Sequence, residues 1–451
     1  MLTIRSVPYL GRILAPSLAE AASKYLAAAS WDRRRMLHTR VNEKTLFDYM
    51  SQGIDVNLKM GTPPETLLRR SNEYMKKAAL HRLEKPDAPC LFQYGPEAGD
   101  LRFRQELSHF LSQEYMDPVQ VDDIIVTAGA TQGLAMLANL LFSPGDLVFV
   151  EDPTYFIGLQ ALRQDCGLHC VPVPMDENGI IPEELEQYLK ERSSIKPREI
   201  GGRKPFWSML YLIPTFHNPT GVCLSATRCR RVVQIARKYN LLVVCDDVYN
   251  LLAFSQDEES ALQRKRLFAY DDPGDPDYSG NVVSNASFSK LFGPGLRLGW
   301  LEAPLCVRNV ILSSGLAFSG GGLNHFTSGL MTSIISEGLL QKHLTEARAM
   351  YKVQCEAVCS VLQEKLPSAM FTIPEGGYFL WLKLPKPLKG SDVVQQCEKN
   401  LKITCFAGDI ASPEANFDDY VRISFSYYEA DVLKAAMVKF SDLINSMLHE
   451  S

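Results

Sequence analysis

The stretch SNASFSKLFGPGLRLGW, residues 284–300, decides how this chain is read. Small residues run up to a lone lysine, Lys290. A loop with two glycines and a proline then brings in a second cation, Arg297, seven residues later. One lysine at the end of a buried-looking strand, with backbone and another positive charge brought close to it, calls for a chemical reason.

Working outward, GNVVSNAS (280–287) is the last of several short β-branched runs. The others are DDIIVTAGA (122–130), GDLVFVEDP (145–153), LHCVPVP (168–174), WSMLYLIPT (207–215) and NLLVVCDD (240–247). They are apolar throughout and alternate with helix-period segments such as TQGLAMLANLLF (131–142), which predicts fully buried parallel strands of an α/β sheet. ERSSIKPREIGGRKP (191–205) and SQDEESALQRKRLFAYDDPGDPDYSG (255–280) interrupt the pattern and read as surface loops.

After residue 335 the texture changes. EGLLQKHLTEARAMYKVQCEAVCSVLQEKL (337–366) carries Leu340, Leu344, Ala347, Tyr351, Cys355, Val358 and Leu362 at three- and four-residue steps, an amphipathic helix. Short strands follow in GYFLWLKLP (377–385), KITCFA (402–407) and YVRISFS (420–426), then a terminal helix. The expected organisation is a large α/β domain over 88–335 and a smaller α+β domain made of 41–87 and 336–451. Residues 1–40 form an N-terminal arm. That arm begins MLTIRSVPYLGRILAPSLAEAASKYLAAAS, with Arg5 and Arg12 and no acid before Glu20. It reads either as a mitochondrial transit peptide or as the helical arm of a cytosolic protein, so cytoplasmic and mitochondrial locations both stay open.

Composition narrows the function classes. Forty-seven basic against 52 acidic residues give a net charge of −5, which offers no basic field to nucleic acid or an anionic membrane. No apolar run approaches the roughly 18 residues that span a bilayer. Eleven cysteines, an odd number without a CxxC, argue for reduced thiols and against a disulfide framework.

Chemistry-bearing residues cluster at the C-terminal ends of the expected strands, where open α/β sheets bind ligands. TAGATQG (127–133) puts glycine and Thr131 just before a helix, an anion site. EDPTYF (151–156) supplies Tyr155, PTFHNPTG (214–221) supplies Asn218, and CDDVYN (245–250) supplies Asp246 and Tyr249. Ser287, Ser289, Lys290 and Arg297 complete the set. Singly, each has a plainer reading: Asn in a proline-framed turn forms turns, Asp at a strand end caps helices, and tyrosines fill cores. GPG…G (293–299) lacks the GxGxxG spacing of a dinucleotide loop. Ser287-Phe-Ser-Lys290 fits the SxxK of penicillin-recognising enzymes but has no SDN or KTG companion. One ligand calls for all of these groups at once: a flat heteroaromatic aldehyde with a phosphate, a phenolate and a ring nitrogen, pyridoxal 5′-phosphate.

The ordered set TAGATQG, EDPTY, HNPTG, DDVY, SFSKLFGPGLRLGW and VRISFS resembles the class I/II family of fold-type-I pyridoxal-phosphate aminotransferases, over nearly the whole chain beyond about residue 45. DVNLKMGTPP (55–64), FQYGPEAGDLRFRQEL (92–107) and PEGGYFLWLKLP (374–385) are similar to its 2-aminoadipate/kynurenine aminotransferase-like subgroup. The resemblance implies that Lys290 is the Schiff-base lysine and proton shuttle and that Asp246 pairs with the ring nitrogen. Asn218 and Tyr249 would contact the ring oxygen, and Tyr155 would stack on the ring. The Ala130 N–H, Thr131, Ser287 and Arg297 would hold the phosphate. Arg422 would grip the substrate carboxylate by a bidentate pair. Strand alternation supports that independently, with Val421, Ile423 and Phe425 facing the other way. Gly61 would bring backbone to the substrate. Tyr94 would reach the phosphate of a neighbouring subunit, which implies a homodimer with shared sites.

The implied activity moves an amino group from an L-amino acid to a 2-oxo acid such as 2-oxoglutarate by ping-pong chemistry. 2-Aminoadipate, kynurenine and aromatic amino acids are the candidate donors. A β-eliminating lyase on the same scaffold and a non-catalytic cofactor-binding regulator are the rival readings. Four departures bear on specificity: His217 where glutamine is common, Ala130 for serine, Ala407 for proline, and Lys59 where the residue is usually small.

Overall fold

The run LLVVCD (241–246) is buried at every position, and its residues divide between two cores. Leu241, Val243 and Cys245 enter one apolar cluster, while Leu242 and Val244 enter the other. Successive side chains on a strand point to opposite faces, so a strand covered on both sides is apolar throughout. The structure, a computed structural model, describes residues 53–192, 204–257, 265–320 and 322–449. The N-terminal arm lies outside the described residues. Ile54–Ser451 make up one unit.

Strands are numbered along the chain: β1 Val56–Asn57, β2 Ile124–Thr127, β3 Leu147–Asp152, β4 His169–Asp176 and β5 Gly179–Ile180. β6 Ser208–Leu212, β7 Leu241–Asp246, β8 Val282–Ser287 and β9 Gly299–Glu302 follow. The C-terminal part adds β10 Phe379–Lys383, β11 Ile403–Thr404, β12 Phe406–Ala407 and β13 Tyr420–Ser424.

The main sheet has the order β2-β9-β8-β7-β6-β3-β4-β5. Its centre, β4-β3-β6-β7-β8, is parallel, as the apolar runs predict. The edge departs from that expectation. Among the described strands β2 lies at the sheet edge beside β9, which runs antiparallel between β2 and β8. The sequence reading passes over β9 because its four residues follow directly on a glycine-proline loop. Helices cover the faces. Ala226–Tyr239 buries Cys229, Val232, Val233, Ile235 and Ala236 against one core; Ser225 caps its start and left-handed Asn240 its end.

The helix Leu339–Lys365 buries all seven positions picked out by its periodicity and packs against the terminal helix Ala430–His449. Beside it, β10, β13 and β12 form an antiparallel sheet with β13 at the centre. β1 pairs in parallel with β11. Ser424 N donates to Leu58 O, so the first described segment is joined to the C-terminal strands.

Among the described residues no helix is long and apolar enough to cross a membrane, and no group of three or more His, Cys, Asp or Glu side chains is gathered for a metal. All eleven cysteines are free, as the odd, scattered set predicts.

Candidate active site

Because the central strands are parallel, their C-terminal ends meet along one edge of the sheet, and the residues that follow each strand converge there. Asp246 ends β7 and is only 7% exposed. Tyr211, on neighbouring β6, donates its hydroxyl to Asp246 Oδ2 at 2.7 Å, while Oδ1 is buried without a partner among the described residues. Burial pushes the carboxyl up to about 6, against the opposing pull of Tyr211 and Lys290. Desolvation lowers the Lys290 amine to about 8, with Arg422 acting in the same direction and Asp246 against it. At pH 7 roughly a tenth of such an amine is neutral, far more than for an ordinary lysine. Its Nζ donates to the carbonyl oxygen of Gly61.

A second feature lies where β2 turns into the helix Ala130–Leu141. Gly129, at φ 100°, forms the turn. A Cβ there would lie 3.1 Å from Arg297 Nη2 and 3.6 Å from Ser287 Oγ, so backbone, guanidinium and hydroxyl share one small cup. Arg297 is held by the carbonyls of Ala128, 3.2 Å from Nη2, and Pro294, 3.1 Å from Nη1. Ser289 Oγ lies 2.9 Å from Ser287 Oγ. The N–H groups that open the helix, at Ala130 and Thr131, add positive potential to the cup, and the whole suits a phosphate.

The third feature is Arg422, on β13. Its Nη1 donates to Asn218 Oδ1 at 2.9 Å and its Nη2 to Lys59 O at 2.8 Å; its Nε is buried without a partner among the described residues. Phe379 and Phe406 lie 4.1 and 4.6 Å from the guanidinium carbon, ring centroid to carbon. Burial lowers its pKa to about 10. Beside it opens a small cleft lined by Thr154, Phe156, Asn218, Trp381, Phe406 and Arg422, among others.

Tyr155 and Tyr249 complete the floor. Burial drives both phenols above their ordinary range, and Asp246 pushes each in the same direction. Gly61 meets Phe379 so closely that a Cβ would lie 2.5 Å from the ring's Cζ.

The structure thus gathers Gly61, Tyr155, Asn218, Asp246, Tyr249, Lys290 and Arg422 around one space, with Gly129, Ala130, Thr131, Ser287 and Arg297 forming the anion cup. Tyr94 is not drawn in. It is 79% exposed, with its ring against Gly320. Tyr211, Phe379 and Phe406 were not singled out from the sequence; the only signal for Tyr211 was a polar-tipped ring inside the buried run SMLYL. The departures find places too. His217 Nε2 lies 3.1 Å from Glu151 Oε2, both residues 1% exposed. Lys59 Nζ pairs with Glu398 at 3.0 Å. Ala407 lines the cleft.

Comparison with known proteins gives this geometry its class. The family described as aminotransferase class I and II matches residues 55–439, and the chain belongs to that family. It is 28% identical over 394 residues to aromatic-amino-acid aminotransferase 1 of Thermococcus litoralis, covering 86% of this chain and 88% of that one. It is also 28% identical over 391 residues to the mitochondrial kynurenine/alpha-aminoadipate aminotransferase of Bos taurus, covering 84% and 85% of the two chains. Among solved structures, the Pyrococcus horikoshii kynurenine aminotransferase superposes with a TM-score of 0.76 at 27% identity, covering 92% of this chain and 95% of that one. The protein is a pyridoxal-phosphate-dependent aminotransferase of fold type I.

Proposed function

We propose that this enzyme transfers the amino group of an L-amino acid with a flat, largely apolar side chain to a 2-oxo acid, 2-oxoglutarate being the expected acceptor, by two half-reactions on one site. The observation that carries the reading is the alignment of a depressed lysine, a buried aspartate with a free oxygen and a buried arginine around one space.

The residues fit pyridoxal phosphate. Asp246 Oδ1, buried and unbonded, is a waiting acceptor for a ring N–H. The Gly129 cup, with Arg297, Ser287, Thr131 and the Ala130 N–H, would hold the phosphate. Asn218 and Tyr249 would bond the ring oxygen, and Tyr155 would cover the ring. When bound, the cofactor supplies an aldehyde that carries the amino group and a ring that accepts the electron pair left at the α-carbon.

Each residue's task follows from its surroundings. Arg422 grips the donor's α-carboxylate, and Asn218 and the Lys59 carbonyl keep the guanidinium aimed. Phe379 and Phe406 exclude water from that contact, which strengthens it. Lys290, partly neutral near physiological pH, lifts the donor's α-proton onto Nζ and holds it for redelivery. Asp246 keeps a negative charge opposite the ring nitrogen, and the Tyr211 hydroxyl steadies that charge. Phe156, Phe406 and Trp381 in the cleft favour an aromatic or kynurenine-like side chain over a small polar one.

A second copy of the chain completes the reading. Tyr94, Phe92 and Phe318 are 79%, 75% and 74% exposed, an unusual concentration of aromatic surface. A homodimer would cover it and deliver Tyr94 to the partner's phosphate cup. The N-terminal arm carries the choice between a cytoplasmic and a mitochondrial address.

The test is the absorbance of the purified holoenzyme, with and without L-kynurenine, L-phenylalanine or L-2-aminoadipate, beside Lys290→Ala. Conversion of the aldehyde-form band to the amine form by a donor, reversed by 2-oxoglutarate and lost in the variant, supports the proposal. Release of the β-substituent, ammonia and a 2-oxo acid from an S-substituted L-cysteine, which carries a β-leaving group, without the amine form, makes the enzyme a lyase instead.

A further inference from the structure

Tyr378, immediately before β10, has no part in the scheme above, yet it meets the reactive lysine twice. Its hydroxyl donates to the main-chain oxygen of Lys290 at 2.8 Å, and its ring centroid lies 5.6 Å from Nζ. The same hydroxyl is 3.0 Å from that of Tyr351, on the helix Leu339–Lys365. A phenol has one proton to donate. Tyr378 gives its proton to Lys290 O, so Tyr351 is the donor in the second bond. The result is a directed chain, Tyr351 to Tyr378 to the backbone of Lys290, in which each bond polarises the next.

The pair has little freedom. Tyr378 is fully buried, with Tyr351, Tyr249 and Phe379 rings 4.9, 5.5 and 6.2 Å away. Burial pushes both phenols above the ordinary range, so both keep their protons across any working pH. Gly61 O meanwhile accepts from the lysine's Nζ. The main chain of Lys290 is pinned by one segment and its side chain by another.

We propose that Tyr378, locked by Tyr351, is a positioning residue that fixes Lys290 for proton transfer. This rests on the reading of Lys290 as the proton carrier. The hydrogen bond sets the origin from which the lysine side chain swings, and the ring face favours the ammonium formed when Nζ takes a proton. The other charges facing Nζ are Asp246, from β7, and Arg422, from β13.

The experiment follows the half-reaction of the holoenzyme with L-kynurenine by rapid mixing. Tyr378→Phe keeps the ring and removes the hydroxyl; its limiting rate should fall about tenfold while the half-saturating kynurenine concentration stays within about twofold. Tyr351→Phe, which does not touch the lysine, should show a smaller fall with the same split. In cofactor-free protein, the pH midpoint for labelling the Lys290 amine should drop in Tyr378→Leu, where the ring is lost, and hold in Tyr378→Phe. A wild-type limiting rate in both Phe variants, with only the thermal midpoint lowered, overturns the proposal and leaves the pair as core packing. Should Tyr378→Phe not fold, Tyr351→Phe decides by the same split. An undiminished half-reaction in Lys290→Ala overturns the underlying reading as well; a dead Lys290→Ala beside a fully active Tyr378→Phe overturns this proposal alone.

Discussion

Replacing Gly61 with alanine tests how tightly the substrate end of the site is built. The new Cβ would lie 2.5 Å from Phe379 Cζ and 3.0 Å from Cε1, closer than carbon atoms approach without something moving. The ring cannot retreat freely. It is 2% exposed, Tyr249 and Tyr378 stand 6.0 and 6.2 Å away, and Arg422 lies 4.1 Å from its centroid. Overpacking of this kind costs about 1–3 kcal/mol. For a chain of this size that lowers Tm by about 1–3 °C. If the ring slides off the guanidinium, a cation–π contact of about 1–2 kcal/mol in a desolvated setting goes with it, and donor half-saturation rises about 5- to 30-fold. Differential scanning fluorimetry and donor titration of the half-reaction read the two effects. Truncating the ring should relieve the clash, so Gly61→Ala should cost less in a Phe379→Leu background. A Gly61→Ala variant with unchanged Tm and donor half-saturation within twofold of wild type would refute the reasoning.

Arg422→Lys replaces a planar fork with a point charge; we expect donor half-saturation to rise about 30- to 100-fold in steady-state titrations with a smaller effect on kcat, and an equal loss in both would place the arginine in the chemical step. The half-reaction rate should rise with pH to a midpoint near 8 and level off above it, because a protonated Lys290 has no lone pair to accept the α-proton. In Asp246→Asn the labelling midpoint of the Lys290 amine in cofactor-free protein should move to lower pH, since the aspartate's charge raises it; an unmoved midpoint would separate the two groups. Tyr211→Phe removes the bond to Asp246 Oδ2, so the carboxyl rises further and cofactor affinity, read by dialysis and absorbance, should fall about tenfold.

Asp246, Asn218, Ser287 and Lys290 were legible because each lies at or just beyond an apolar run, and a parallel sheet turns that local position into a shared edge in space. Arg422 was legible from alternation along one strand. Its surroundings were not. Phe406 and Trp381 reach it through the pairings Phe406↔Arg422 and Trp381↔Arg422, which depend on the register of β12 and β10 against β13. Tyr211 likewise needs the register that sets it against Val244, two residues before Asp246, and nothing local marks it. β9 escaped because a four-residue strand in a glycine-rich context has no periodicity to read; only its partners, β8 and β2, identify it. Tyr94 follows from resemblance alone, because no strand pattern marks a residue proposed to act on a neighbouring subunit.

The parallel pairing of Val56–Asn57 with Ile403–Thr404, and the bond from Arg422 to Lys59, 363 positions earlier in the chain, have a bearing on how the protein is born. A ribosome releases the first of these partners early and the second almost last, so the N-terminal strand waits through most of synthesis without its mate. Contacts of such separation carry the largest closure entropy and form late. The cup built from Gly129 to Arg297 is complete well before Arg422 exists. On the proposed assignment, the groups that would hold the cofactor are therefore synthesised well before the arginine that would hold a donor's carboxylate.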